Sequence, residues 1–247
     1  MDYYDLITIS TRFMAIMNPT TPEKVVRAGE MAALTAGDRV IEFGCGYGTI
    51  LSLWGERFGI SGRGIDLREE ACRRAAETIA SGGLSDRIAI TRGDVLEEMP
   101  DASYTCAACI GSSHIWGGFC GALEAMGEWI GDAGRIVIGE RYWERASVPP
   151  EFSREWGDVL TEYEILSAAG EAGYEVRGVL RATADDWDAY ESGNWGGLLA
   201  WMAENPDDPA LPGVRDYLHR IQDEYAGYGR EYMGFALFVL VPASPAP

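Results

Sequence analysis

Lysine is almost absent from this 247-residue chain: Lys24 is the only one, and the other basic side chains are arginines. Positive charge is scarce altogether, with 20 Lys and Arg against 39 Asp and Glu and a net charge of −19. That deficit argues against an electrostatic grip on a phosphate backbone, and so against a DNA or RNA partner. Cysteine occurs five times, an odd number at scattered positions, which excludes a disulfide framework and points to a reducing cytoplasm. Cys106 and Cys109 imitate a Cys-x-x-Cys pair, but they fall in a strand-like run where residues three apart face opposite sides, so no metal is expected there. No charged-then-apolar signal segment opens the chain, and no apolar run approaches the ~20 residues of a membrane span. Apolar residues are plentiful, at 47% of the chain, with no internal repeat and no long linker; a single domain over residues 1–247 is the expectation.

The chain is organised around Val40-Ile41-Glu42-Phe43-Gly44-Cys45-Gly46-Tyr47-Gly48-Thr49. Branched and aromatic residues end a buried strand, three glycines turn the backbone, and Thr49 onward starts a helix. Glycine there tolerates positive φ and lets a ligand approach bare backbone. The Gly-x-Gly-x-Gly spacing differs from the Gly-x-Gly-x-x-Gly fingerprint of dinucleotide binders. Two further strand-like segments end in acids: Gly62 to Asp66, 22 residues beyond Gly44, and Ile88 to Asp94. Parallel strands ending in carboxylates at one sheet edge suit a molecule rich in hydroxyl and amino donors.

These three elements, in this order, resemble the class I S-adenosylmethionine-dependent methyltransferases over roughly residues 38–140. The resemblance implies a Rossmann-like α/β fold of seven strands in the order 3-2-1-4-5-7-6, with the seventh antiparallel. It implies S-adenosyl-L-methionine as cofactor, released as S-adenosyl-L-homocysteine. Glu42, Gly44, Cys45, Gly46 and Gly48 would meet its methionine end and sugar, and Asp66 its ribose hydroxyls. Leu67 would lie beside the adenine, Asp94 at the adenine amino group, and Val95 would offer its backbone N–H. Ile110, at the end of the fourth strand, would border the same site.

Before the first strand, residues 1–36 read as a helical cover: an amphipathic helix running to Asn18-Pro19, then one over about 22–34 entered through Thr21-Pro22. It is either a packing layer or part of the acceptor pocket. Glu69 with Arg73 and Glu70 with Arg74 are i,i+4 pairs on a later helix. The loop Gly111-Ser112-Ser113-His114-Ile115-Trp116 follows the fourth strand, where α/β sheets bind ligands. His114 is either a general base or a pocket-lining residue; Glu140 is its substitute, and His219 reads as structural. Trp116, Tyr142 and Trp143 line the presumed rim, where they would contact an acceptor or cover the core. A helical insertion at 183–229 separates the last two strands and carries Trp187, Tyr190, Trp195, Leu198 and Met202 at helical spacing, with glycines that weaken it or bend it. Trp195 would wall the pocket, or simply pack.

The expected activity is methyl transfer to a small-molecule acceptor, neutral or cationic, by a monomer or homodimer. The alternatives are a non-catalytic cofactor-binding protein, a nucleic-acid methyltransferase and a metalloid methyltransferase. Cys109-Ile110-Gly111-Ser112 lacks the Asn/Asp-Pro-Pro-aromatic pattern of the amino-directed nucleic-acid enzymes.

Overall fold

A computed structural model of the chain describes residues 1–157 and 159–243. In chain order the elements are α1 (Tyr3–Ser10), α2 (Pro22–Met31), β1 (Arg39–Phe43), α3 (Thr49–Phe58), β2 (Ser61–Asp66), α4 (Glu69–Ser81), β3 (Ile88–Arg92), β4 (Tyr104–Ile110), α5 (Phe119–Gly127) and β5 (Ile130–Trp143). They continue with α6 (Pro150–Ser153), β6 (Leu160–Thr161), α7 (Glu162–Glu171), β7 (Tyr174–Arg181), α8 (Ala184–Glu204), α9 (Leu211–Glu224), α10 (Arg230–Tyr232) and β8 (Met233–Pro242). A π turn, Tyr225–Gly229, joins α9 to α10.

The strands form one sheet in the order β3-β2-β1-β4-β5-β8-β7, with the two-residue β6 paired to β5. β1 to β5 run parallel, and β8 is antiparallel to both β5 and β7. The expected order is therefore borne out with one addition: β6 makes the predicted sixth and seventh strands β7 and β8. Alternation sends Val40, Cys106, Ala108 and Val137 into a core with α2 and α3, and Ile41, Ala107, Cys109 and Ile136 into a core with α5 and α7. Cys106 and Cys109 thus lie on opposite faces as free thiols. The sheet order reverses between β1 and β4, which places the glycine loop and the loop after β4 side by side at the switch point.

Helix starts follow their caps. Thr21 caps α2 with Pro22 at the first position, and Thr161 and Thr183 open α7 and α8 with full capping boxes. Three expectations change. The first helix stops at Ser10, because residues 11–20 leave helical geometry to run across the glycine loop as a strap. Helix α8 is continuous for 21 residues, and two of its glycines, Gly193 and Gly197, serve packing: a Cβ on Gly197 would stand 2.3 Å from the Ser10 carbonyl oxygen. Arg73 pairs with Glu70 and Glu77, whereas Arg74 leaves the solvated face to stack 3.5 Å over the Tyr47 ring. The sequence from Pro242 onward reads as a disordered tail; Pro242 itself ends β8, and from residue 244 the stretch lies outside the described residues.

Gly197→Ala separates packing from propensity. Alanine favours a helix by ~1 kcal/mol over glycine, yet here it must push α1 off α8 at an overpacking cost of about 1–3 kcal/mol, for a net loss of up to about 2 kcal/mol. A lower urea midpoint is expected; a raised one would show that the α1 contact carries no weight.

Candidate functional site

The glycine loop leaves β1 at Phe43 and enters α3 at Thr49. Gly44, Gly46 and Gly48 have φ of 65°, 54° and 71°, in the left-handed region that side chains avoid. Each glycine faces a different neighbour. A Cβ on Gly44 would lie 2.3 Å from Ser112 Oγ, in the loop after β4, and one on Gly46 would lie 2.1 Å from Met17 Cε, in the strap. One on Gly48 would lie 3.2 Å from the Ala75 backbone, so this third glycine serves the α3–α4 approach. Helix α3 begins after Gly48 with no side-chain cap, and the Leu51 N–H of its first turn bonds the Glu42 carboxyl.

Asp66, at the end of β2, is buried and braces the loop. Its Oδ2 accepts the Gly46 N–H at 2.9 Å, and its Oδ1 accepts the Arg68 N–H at 2.9 Å and Arg68 Nε at 3.3 Å. Glu42 lies 2% exposed beneath the loop, and burial, reinforced by the Asp66 charge, pushes its carboxyl well above the usual range. Glu42 Oε2 and Arg68 Nη1 are buried with no hydrogen-bond partner among the described residues. Burial, then the charges of Glu42 and Asp66, also push the Cys45 thiol up, so it is not a thiolate at neutral pH.

The strap closes over this floor. Thr11 Oγ1 meets Tyr47 Oη at 2.8 Å, Thr49 Oγ1 donates to the Ala15 carbonyl at 2.6 Å, and Arg68 Nη2 reaches Met17 Sδ at 3.7 Å. Asn18 Nδ2 donates to the Ile110 carbonyl at 3.0 Å, tying the strap to the end of β4. On the other side Met14 packs on Gly193 of α8. None of these strap contacts was legible beforehand, because the partners lie 29 or more residues apart and carry no shared motif.

The other predicted residues are placed as follows. Leu67 is 49% exposed at the lip beside Asp66. Asp94 caps the turn Val95–Glu97 through the Leu96 N–H at 3.0 Å, and the Val95 side chain is buried in the α5-side core. Ile110 is buried in the core of the other face. His114 is exposed on the 3-10 turn Ser113–Trp116. The four rim aromatics do not assemble as one wall. Trp116 stands edge-on to Phe43 at 5.2 Å, and buried Tyr142 packs against Phe238 on the same α5-side face. Trp143 and Trp195 belong to the opposite face, Trp143 against Phe152 and Trp195 against Tyr225.

On that second face β5, α8 and α9 bound a cluster of charged and aromatic side chains that the sequence does not single out. Arg141 points into it from β5, stacked 4.5 Å over the Trp156 ring. Half-buried Glu191 of α8 faces Arg141 and Glu224 of α9; burial pushes Glu191 up to about 7, Arg141 opposing and Glu224 adding. Burial also raises Glu224, against Arg141 and Arg220. Among the described residues no cluster of His, Cys, Asp or Glu could hold a metal ion, and no helix is long and apolar enough to cross a membrane.

Comparison with known proteins agrees with this geometry. A family profile described as a methyltransferase domain matches residues 40–130. The uncharacterized protein YjhP of Escherichia coli K12 is 32% identical over 98% of this chain and 99% of its own length. The crystal structure of a SAM-dependent methyltransferase from Geobacter sulfurreducens in complex with S-adenosyl-L-homocysteine superposes with a TM-score of 0.90, 34% identity, and coverage of 96% and 98% of the two chains. The corresponding Thiobacillus denitrificans protein, also with S-adenosyl-L-homocysteine, gives 0.90 at 31% identity, covering 98% of this chain and 100% of that one. With its strand order, glycine loop and braced acids, the chain belongs to the class I S-adenosylmethionine-dependent methyltransferases.

Proposed function

We propose that this methyltransferase transfers the methyl group to a small-molecule acceptor. The observation that supports this reading is the strap: residues 11–18 lie over the glycine loop and anchor to Tyr47, Thr49 and Ile110, a cover that favours a small acceptor over a large one. A net charge of −19 adds a barrier to polyanionic substrates.

The residues suit the cofactor. S-adenosylmethionine supplies an electrophilic methyl on a cationic sulfur. Glu42 Oε2 and Arg68 Nη1, an orphaned acceptor and an orphaned donor beside one loop, match a methionine end that carries an ammonium and a carboxylate. Asp66 would take the ribose hydroxyls with lone pairs left over from the Gly46 and Arg68 bonds, and Asp94 and Val95 would flank the adenine. His114 and Glu140 would stand near the acceptor end of the loop after β4. The protein's remaining task is to align the acceptor and exclude water.

Asp66→Ala should lower S-adenosylhomocysteine affinity by about 100-fold, since it frees the Gly46 N–H and removes the ribose acceptor together. Titration calorimetry measures this, and unchanged affinity would remove Asp66 from the site. The acceptor class is tested with methyl-labelled S-adenosylmethionine and a desalted cell extract to which its small-molecule fraction is returned. Label in that fraction supports the reading; label only in protein or nucleic acid overturns it.

A further inference from the structure

We propose, resting on the small-molecule reading above, that the acceptor is a small amine bearing an oxygen function, held between β5, α8 and α9, with Glu191 as the group that takes its proton.

The helix that carries Glu191 is tied to the cofactor loop through the strap. Met14 packs on Gly193 and Met17 on Gly46. Three residues of chain span at most ~11 Å, so the strap ties the Gly193 level of α8 to the glycine loop; Glu191, two residues earlier, lies on the other side of the helix with Trp187 and Trp195, four residues to either side of it. From the sheet side, Arg141 lies two residues beyond Gly139, which pairs in register with Ile110. Its alternation with Val137 and Trp143 turns it toward the α8 face.

The cluster carries donors that nothing in the protein satisfies. Trp187 is 8% exposed and stacks near Tyr225, yet its Nε1 has no hydrogen-bond partner among the described residues, and neither has Trp195 Nε1. The contrast is Trp54, fully buried, whose Nε1 donates to the Val25 carbonyl at 2.8 Å. An unpaired buried donor costs ~1–3 kcal/mol. Two of them around Tyr225 point to a bound molecule that brings oxygen acceptors.

The charges point to its other end. Glu191 faces Arg141 from β5, Glu224 and Tyr217 from α9, Tyr225 from the π turn and its own neighbour Tyr190. Arg141 is occupied by stacking on Trp156. Two half-buried carboxylates beside the rings of Tyr190, Trp195 and Tyr225 form an environment that attracts a cation. An amine enters as R–NH3+, and one proton passes to the Glu191 carboxylate, leaving R–NH2 and the carboxylic acid. The nitrogen lone pair then forms the N–CH3 bond as the S–CH3 bond breaks. The electron pair of the broken bond stays on sulfur, giving the thioether and R–NH2–CH3+. Glu191 returns its proton to water when the product leaves. A carboxyl titrating near 7 is matched to this transfer at neutral pH.

The test uses the full chain with S-adenosylmethionine and ethanolamine, glycine or phenylglycinol, with catechol and mercaptoethanol as oxygen and sulfur acceptors. Methylation of at least one amine is expected, with kcat/KM rising through a pKa of about 7. Glu191→Gln should lower kcat by ~10²–10⁴-fold and abolish that limb. Its affinity for S-adenosylhomocysteine should stay within about twofold, which shows the variant folded, and Glu191→Asp should recover part of the rate. An unchanged kcat and pH limb in Glu191→Gln, or no turnover of any of the three amines, overturns the proposal. Methylation of catechol or mercaptoethanol alone overturns it while leaving the small-molecule reading intact; label found only in macromolecules overturns both.

Discussion

Gly44→Ala should abolish measurable cofactor binding and lower stability, while Gly83→Ala should lower stability slightly and leave binding untouched. Both glycines have positive φ, 65° and 66°, so the backbone strain of an L side chain, about 1–2 kcal/mol, is common to the two. They differ in surroundings. Nothing lies within 4 Å of a Cβ on Gly83, whereas one on Gly44 would meet Ser112 Oγ at 2.3 Å and Ser112 Cβ at 2.6 Å. Relief requires the glycine loop and the loop after β4 to part, and with them the floor of the cofactor site. Overpacking of this kind costs about 1–3 kcal/mol beyond the strain, and a displaced loop should weaken S-adenosylhomocysteine by more than about 100-fold. Calorimetry with both variants measures it. Equal, small effects on binding would show that the two loops can separate without cost to the site.

Asp38→Ala is expected to destabilise the fold by about 3 kcal/mol, because it removes three hydrogen bonds and leaves half-buried Arg135 without its carboxylate. Asp38 opens β1 and collects the Thr35 N–H at 2.7 Å, the Thr35 hydroxyl at 3.0 Å and the Thr105 hydroxyl at 2.7 Å, besides its ion pair with Arg135. Arg135 also donates to the Ala32 carbonyl at 2.8 Å, so one network joins the end of α2 to β1, β4 and β5. Burial by itself would raise the Asp38 carboxyl, but the bonds from Thr105, Thr35 and Arg135 outweigh it and hold it below its ordinary value. A depressed folded value means that its stabilisation is fully present above the unfolded pKa of ~3.9 and is lost as pH falls through the folded one. Asp38→Asn should therefore flatten the wild-type loss of stability below about pH 4. Urea midpoints between neutral pH and the acid limb measure this; parallel curves for the two proteins would place the acid sensitivity elsewhere.

The N-terminal strap shows where reading along the chain fails. Residues 11–17 carry apolar side chains at helical spacing, and a longer first helix follows from that pattern. The observed contacts of Thr11, Ala15, Met17 and Asn18 with Tyr47, Thr49, Gly46 and Ile110 outweigh the local preference once the sheet is in place. The rim aromatics fail for a related reason. Tyr142 and Trp143 are adjacent, and adjacency on a strand sends them into opposite cores, which their shared chemistry conceals. Glu191 sits in a helix whose pattern reads as ordinary packing; its partners Arg141 and Glu224 lie 50 and 33 residues away.

The amino-acid sequence by itself determined the strand–loop–helix at Val40–Thr49, the acids at Asp66 and Asp94, the sheet order, the cofactor and the opposed thiols of Cys106 and Cys109. The loop, the acids and the thiols are local, encoded in glycine spacing and strand alternation, whereas the sheet order and the cofactor follow from the family resemblance that these elements carry. Tertiary structure alone decided that Asp66 braces Gly46, that Gly48 serves helix packing, that the strap covers the glycine loop, and that Arg141, Glu191, Glu224 and two unpaired indoles come near one another. The physical reason is distance along the chain: burial, ion pairing and orphaned donors arise where β5, α8 and α9 converge, and no window of the sequence contains all three.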